Sequence, residues 1–371
     1  MNLADLETPR LVLDASKMEA NISRMKRHLA GLGVQLRPHV KTCKSIEVAR
    51  RLMETPAGPI TVSTLKEAEQ FLENGVTDIL YAVGIAPAKL DHVVALRSRG
   101  ADLCVVVDSI EAAHAVATRR ADIPALIEID CDGHRAGVKP GDPVLLDIAA
   151  TLSGGAVLRG VMTHAGDAYN CRTTEAIAAM AEQERRAVVE SAAMLRDAGH
   201  AAPVVSVGST PTATFARNLE GVTEVRAGVF VFQDLVMAGL GVCGVEDIAV
   251  SVLATVIGHR KDKGWIITDG GWMAMSRDRG TATQAVDQGY GVVCDASGAP
   301  VEDLIVADAN QEHGIVGRRG GGALDVTRYP LGTRLRILPN HACATVAQHD
   351  SYHVVRQDQK VIDHWPRFNG W

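Results

Sequence analysis

From about residue 33 the chain alternates short, β-branched apolar runs with stretches whose apolar positions recur at helical spacing. The runs are GVQLRPHVK, ITVST, DILYAV, LCVVVD, ALIEID, LRGVMTH, VVSVGST and EVRAGVFVF. Between them lie amphipathic stretches such as SIEVARRLMET, LKEAEQFLENG, KLDHVVALRSRG and SIEAAHAVATRR, several ended by glycine. Runs that are nearly continuous in apolar residues predict strands buried on both faces, as in a parallel sheet covered by helices. Eight such units in about 200 residues predict a closed (β/α)8 barrel over residues 15–245. An open doubly wound sheet is the structural alternative. After residue 245 the texture changes to short alternating runs with turn signals: AVSVLATVIGHR, KGWIITDGGW, YGVVCD, LIVADANQEHGIV, TRLRILPNHACATV and YHVVRQDQKVIDHW. They predict a smaller all-β domain over residues 246–371. GRRGGG at 317–322 reads as a mobile surface loop, since no helix start follows it to complete a phosphate cradle.

Composition agrees with that division. Hydrophobic residues make up 47% of the 371 and charged residues 22%, the balance of a globular chain with more than one core. A net charge of -6 without a long basic cluster argues against nonspecific nucleic-acid binding. MNLADLETPRLVLD lacks the basic flank and apolar run of a secretory signal, and no apolar stretch approaches the roughly 20 residues of a membrane span. A cytoplasmic location with no membrane partner is the expectation. The cysteines, at 43, 104, 131, 171, 243, 294 and 343, are odd in number and scattered, so no disulfide framework is expected.

In a (β/α)8 barrel the chemistry lies at the carboxyl ends of the strands. Those positions hold Lys41, Thr64, Asp108, Asp130 with Arg135 just beyond, His164, and the triplet Gly208, Ser209 and Thr210. Each has an ordinary account by itself. Lys41 can snorkel from a strand end, Arg135 can pair with Asp130 or Asp132, His164 can be a core histidine, and Gly208–Thr210 can be a tight turn. Together on one rim they are an amine, a guanidinium, a flat ring and a phosphate cradle, the parts needed to hold pyridoxal phosphate as a Schiff base. Further on, PNHACAT places His341 and Cys343 two apart, so that on a strand or extended loop both point the same way. Imidazole and thiolate suit zinc, although an H-x-C pair alone is more often accidental than metal-binding.

The motifs RPHVKTCKS, TVSTLKEAE, EIDCDGHRAGV, THAGDAY, VSVGSTPTA and LPNHACAT span nearly the whole chain in order. With them the sequence resembles the D-threo-3-hydroxyaspartate dehydratase, D-serine dehydratase and D-threonine aldolase family, among the fold type III pyridoxal phosphate enzymes of the alanine racemase group. The resemblance implies that Lys41 is the Schiff-base lysine, that Arg135 partners the pyridine nitrogen, and that His164 lies near the cofactor ring. It further implies that Gly208, Ser209 and Thr210 contact the phosphate and that His341 and Cys343 hold a divalent metal, zinc first, with manganese or cobalt as alternatives. Residues 1–14 are expected to join the β-domain as a strand, and the family implies a homodimer. The aldolases usually carry aspartate where Cys343 stands, which tilts the expectation towards dehydration of a small D-3-hydroxy amino acid, D-threo-3-hydroxyaspartate or D-serine, to a 2-oxo acid and ammonia. Lys41 would then also remove the α-proton, and His39 on the same face either tunes its amine or has a simple packing or hydrogen-bonding role. Retro-aldol cleavage to glycine and an aldehyde is the alternative, followed by a non-catalytic pyridoxal phosphate carrier and a metal-dependent barrel hydrolase. Arg277 and Arg279 in SRDRG are candidates for a second substrate carboxylate, or plain surface ion pairs.

Overall fold

The β-branched runs form eight parallel strands: Gln35–Leu36 (β1), Ile60–Val62 (β2), Asp78–Gly84 (β3), Asp102–Val107 (β4), Ile123–Ile129 (β5), Ala156–Thr163 (β6), Val204–Val207 (β7) and Glu224–Val225 (β8). The computed structural model describes residues 2–356 and 360–371, so residues 357–359 of the last predicted run lie outside the described residues. The strands are ordered β1-β8-β7-β6-β5-β4-β3-β2. His39, just past β1, bridges Thr61 of β2 in parallel. There the Val40 N–H donates to the Thr61 carbonyl at 2.9 Å and the Thr61 N–H to the Pro38 carbonyl at 2.8 Å. This pairing joins the two ends of the sheet, which makes it a barrel and excludes the open alternative.

β1 is shorter than the run that predicted it. Pro38 offers no N–H to the ladder, and the chain leaves in a turn closed by the Lys44 N–H on the Val40 carbonyl at 2.8 Å. Lys41 therefore sits in a turn rather than at the last position of a strand. Helices follow the strand ends with side-chain caps. Thr64, Ser109, Thr173 and Ser209 each accept the N–H three residues on.

Two compact units result: Arg24–Gly228 with Phe368–Trp371, and Val229–Arg367 with the segment ending at Ser23. The division falls at Gly228/Val229 rather than near residue 245, because the intervening segment is bonded into the second unit. The Ala249 N–H donates to the Phe232 carbonyl at 2.7 Å, and the Val236 N–H to the Asn340 carbonyl at 3.1 Å.

The second unit holds a nine-stranded sheet. Val250–Arg260 bonds both Trp265–Thr268 and Arg334–Pro339, so six strands close on themselves, the others being Gly314–Arg318, Pro300–Ala309 and Gly291–Cys294. Arg10–Asp14, Ser351–Val355 and Val361–Pro366 extend the sheet from Val250–Arg260. Its buried core includes Val252, Val256, Ile266, Val293, Val306, Val316 and Ile337. The first two residues of GRRGGG close the strand Gly314–Arg318. Among the described residues no helix is long and apolar enough to cross a membrane.

Candidate active site

Lys41 and Lys44 share the turn after β1 but not the same surroundings. The Lys44 ammonium lies 3.3 Å from Oε1 of Glu67, whose side chain is 1% exposed. Glu67 also accepts from the Ser63 N–H at 3.1 Å and the Ser63 hydroxyl at 2.8 Å. Lys44 thus balances a fixed buried charge. Lys41 is exposed, and no carboxylate among the described residues pairs with it. Gly228 lies against the same turn: a Cβ there would meet the His39 carbonyl oxygen at 2.7 Å and Thr42 Oγ1 at 3.0 Å, so glycine is what lets the chain pass. Burial, then the charges of Lys41 and Arg226, depress the His39 pKa well below its ordinary value and keep the ring neutral.

At the end of β7, Gly208 turns the chain with φ +149°. A Cβ there would stand 1.8 Å from the Arg226 carbonyl oxygen. Ser209 then caps Thr210–Phe215, its Oγ accepting the Thr212 N–H at 3.2 Å, with Pro211 in the first turn. The Gly208 N–H is itself taken, by Glu184 Oε1 at 3.1 Å, which also accepts the Ala165 N–H at 3.0 Å. Gly208 therefore contributes shape rather than a donor, and the Ser209 N–H goes to Thr212 Oγ1 at 3.2 Å. Ser209 Oγ also lies 2.9 Å from Thr212 Oγ1, and an anion could be met here by the hydroxyl-bearing first turn of the helix.

His164, just past β6, has Nδ1 2.8 Å from the Gly208 carbonyl. The carbonyl can only accept, so Nδ1 carries the proton and Nε2 is bare. Burial outweighs this bond and lowers the His164 pKa to about 4, so this ring too is neutral. Arg135, beyond β5, is exposed and pairs with Glu128 Oε1 at 3.3 Å. It does not pair with Asp130 or Asp132, which accept the N–H groups of Gly133 at 2.7 Å and His134 at 3.1 Å. Burial raises the Glu128 carboxyl and the Arg135 charge opposes the rise.

Sequence reasoning missed Glu184 and Arg226. Arg226 is buried, donating to the Thr163 carbonyl at 2.6 Å and Ser206 Oγ at 2.5 Å. Glu184 was detectable, because it shares the buried face of Thr174–Asp197 with Ile177, Ala181, Val188 and Leu195. A carboxylate on an apolar stripe needs donors, and here they come from the ends of β6 and β7. The residues fit pyridoxal phosphate. An unpaired amine, a guanidinium, a neutral flat ring and a hydroxyl-lined helix start follow β1, β5, β6 and β7, all at the carboxyl ends of the barrel.

In the second unit His341 is the N-cap of a short helix, Ala342–Val346. Cys343 thus lies in a helical first turn and not on an extended segment shared with His341. The buried Asp234 carboxylate starts that helix by accepting the Ala342 N–H at 2.9 Å. His341 and Cys343 still meet. Burial disfavours a charged His341, but its bonds to Asp278 and Cys343 win and raise its pKa to about 11. His341 Nδ1 lies 2.7 Å from Asp278 Oδ2, which fixes that nitrogen and leaves Nε2 as the atom that could take a cation in exchange for its proton. Among the described residues no group of three or more metal-ligating side chains forms. The pair fits a divalent metal whose remaining positions are open to water or substrate.

Residues 13–235 match the family described as alanine racemase, N-terminal domain, and residues 249–355 match the serine dehydratase domain family. Over its whole length the chain is 56% identical to D-threo-3-hydroxyaspartate dehydratase of Delftia sp. (strain HT23), covering 99% of that protein. The chain belongs to the D-threo-3-hydroxyaspartate and D-serine dehydratase family. A more distant member is D-serine dehydratase of Dictyostelium discoideum, 30% identical over 100% of this chain and 98% of its own. The solved Delftia dehydratase superposes with a TM-score of 0.98 over 100% of both chains at 56% identity. Solved dehydratase variants carry alanine for a histidine and for a cysteine two positions further on, the latter described as metal-free. His341 and Cys343 have the same spacing. D-threonine aldolase from Filomicrobium marinum is 28% identical, with a TM-score of 0.84 over 99% of this chain and 96% of its own.

Proposed function

We propose that the protein is a pyridoxal phosphate- and divalent metal-dependent dehydratase of D-3-hydroxy amino acids, D-threo-3-hydroxyaspartate or D-serine, producing a 2-oxo acid and ammonia. One observation carries the reading: on the turn after β1 the Lys41 amine has no carboxylate partner among the described residues, while Lys44 is committed to Glu67. The 56% identity to a dehydratase supports dehydration over aldol cleavage.

When bound, pyridoxal phosphate supplies a carbonyl for an amine and an electron sink for charge at Cα, and a divalent metal supplies a Lewis acid for the departing hydroxyl. Lys41 would hold the cofactor through Nζ, and the same amine is the group that would take the α-proton. Neutral His39 adds no positive charge beside that amine. His164, tied to Gly208 through Nδ1, presents an uncharged flat face. Arg135 has no acceptor and keeps its proton, so it can hold a ring nitrogen without protonating it. That weakens electron withdrawal and makes help at the hydroxyl necessary. Ser209 and Thr210 hold the phosphate, with Gly208 shaping their turn. His341 and Cys343 hold the metal, zinc by ligand softness. The proposed form is a cytosolic homodimer.

Incubation with D-threo-3-hydroxyaspartate, D-serine and D-threonine tests the reading. A 2-oxo acid plus ammonia is expected, lost on chelation and restored by zinc, manganese or cobalt. Glycine plus an aldehyde would identify the retro-aldol reaction instead, and full activity in chelated enzyme would remove the metal from the scheme.

A further inference from the structure

In D-3-hydroxyaspartate the hydroxyl and the second carboxylate sit on the same carbon. A cation that selects this substrate must therefore adjoin the place where a metal would draw off the hydroxyl, the His341–Cys343 pair. The loop that carries Asp278 offers two arginines. Arg279 is committed: it lies 2.7 Å from Asp287 Oδ2 and its guanidinium 5.3 Å from the Tyr290 ring centre. Arg277 is not. It is exposed, no carboxylate among the described residues pairs with it, and its guanidinium lies 5.1 Å from the Trp272 ring centre. An indole holds a guanidinium in place without neutralising it.

The backbone around Arg277 is fixed. Ser276 is 9% exposed and has φ +78°, a region that side-chain-bearing residues rarely adopt. Its N–H donates to the Trp272 carbonyl at 2.7 Å, and its Oγ accepts the Asp278 N–H at 3.0 Å. Trp272, Ser276, Arg277 and Asp278 thus belong to one locked turn, and its last residue bonds His341 Nδ1 at 2.7 Å. Neighbouring α-carbons are about 3.8 Å apart, well within the reach of an arginine side chain. Strain held beside a ligand-orienting carboxylate has a reason if the turn must aim that arginine.

We infer that Arg277 is a specificity-determining residue: its guanidinium binds the β-carboxylate of D-3-hydroxyaspartate and makes the enzyme favour dicarboxylic substrates over D-serine. The inference rests on the dehydratase reading above. A guanidinium suits the role because it meets a carboxylate through two parallel N–H donors.

Kinetics of the metal-loaded holoenzyme decide it. R277A should lower kcat/KM for D-threo-3-hydroxyaspartate on the order of 10- to 100-fold, mostly through KM, and leave D-serine within about twofold, as expected of an exposed site. R277K should recover part of the loss. R279A should leave the ratio of the two substrates unchanged. Calorimetric titration with succinate supplies a readout free of turnover: it should bind wild type and bind R277A more weakly by a similar factor. An unchanged substrate ratio in R277A, equal losses on both substrates, or a ratio shift in R279A would overturn the assignment. Wild-type enzyme inactive on both substrates would overturn the dehydratase reading instead, and the succinate titration would still decide Arg277. Circular dichroism of each variant separates misfolding from lost recognition.

Discussion

Lys41 and Lys44 are three residues apart in sequence, and the difference between them is one buried carboxylate. Borohydride reduction of the holoenzyme followed by peptide mapping should label Lys41 and spare Lys44. K41A should abolish turnover, whereas K44A should lower the unfolding midpoint by leaving Glu67 buried and unpaired. The two neutral histidines give a pH dependence. The folded pKa of His164 is about 4 against an ordinary 6.5, and that of His39 is lowered as well. Between those values the unfolded chain binds more protons than the folded one, so stability is fully present above about 6.5 and falls as pH drops towards 4. For His164 the slope in that window is about 1.4 kcal/mol per pH unit, and His39 adds in the same direction. Urea midpoints at pH 7, 6 and 5 check this, and H164Q should flatten the slope. In the second unit D278N should weaken metal binding by about 10- to 100-fold, measured by chelator competition, because His341 loses the partner that fixes its tautomer. The sequence marked His341 and Cys343 by their spacing. It did not mark Asp278 as the partner of His341, because that contact joins residues 63 positions apart.

At the level of elements, a strand's carboxyl end is useful only if its turn is held. Glu184 holds two of them by accepting both the Ala165 and Gly208 N–H groups. E184A should cost roughly 2–4 kcal/mol by stranding two buried donors, while E184Q, which keeps an acceptor oxygen, should cost much less. Chemical denaturation of the two variants distinguishes them. G208A should be as damaging as E184A, because its Cβ would collide with the Arg226 backbone just past β8 at an already left-handed φ. The turn glycine was visible in VGSTPTA as a motif. The collision that requires it was not, since Arg226 comes from a different strand.

For the whole molecule, the lysine and the metal pair belong to different compact units. Chelation should therefore stop dehydration yet leave borohydride labelling of Lys41 intact, an outcome that mass spectrometry of the reduced, chelated protein can check. Periodicity was enough to specify alternating strands and helices followed by short antiparallel strands, since apolar spacing reports which faces are buried. That Lys41, Arg135, His164 and the Gly208–Thr210 turn lie beyond the carboxyl ends of β1, β5, β6 and β7 was also legible, because the apolar runs mark where the strands stop; the roles given to them belong to the proposal. Tertiary structure alone decided the rest. It closed the sheet through His39 and Thr61, shortened β1 at Pro38, drew residues 229–245 into the second unit, and turned Cys343 onto a helix. It also paired Lys44 with Glu67 and Arg279 with Asp287. Local pattern fixes which way a side chain faces, whereas its charge state and availability depend on carboxylates and carbonyls brought to it from distant parts of the chain.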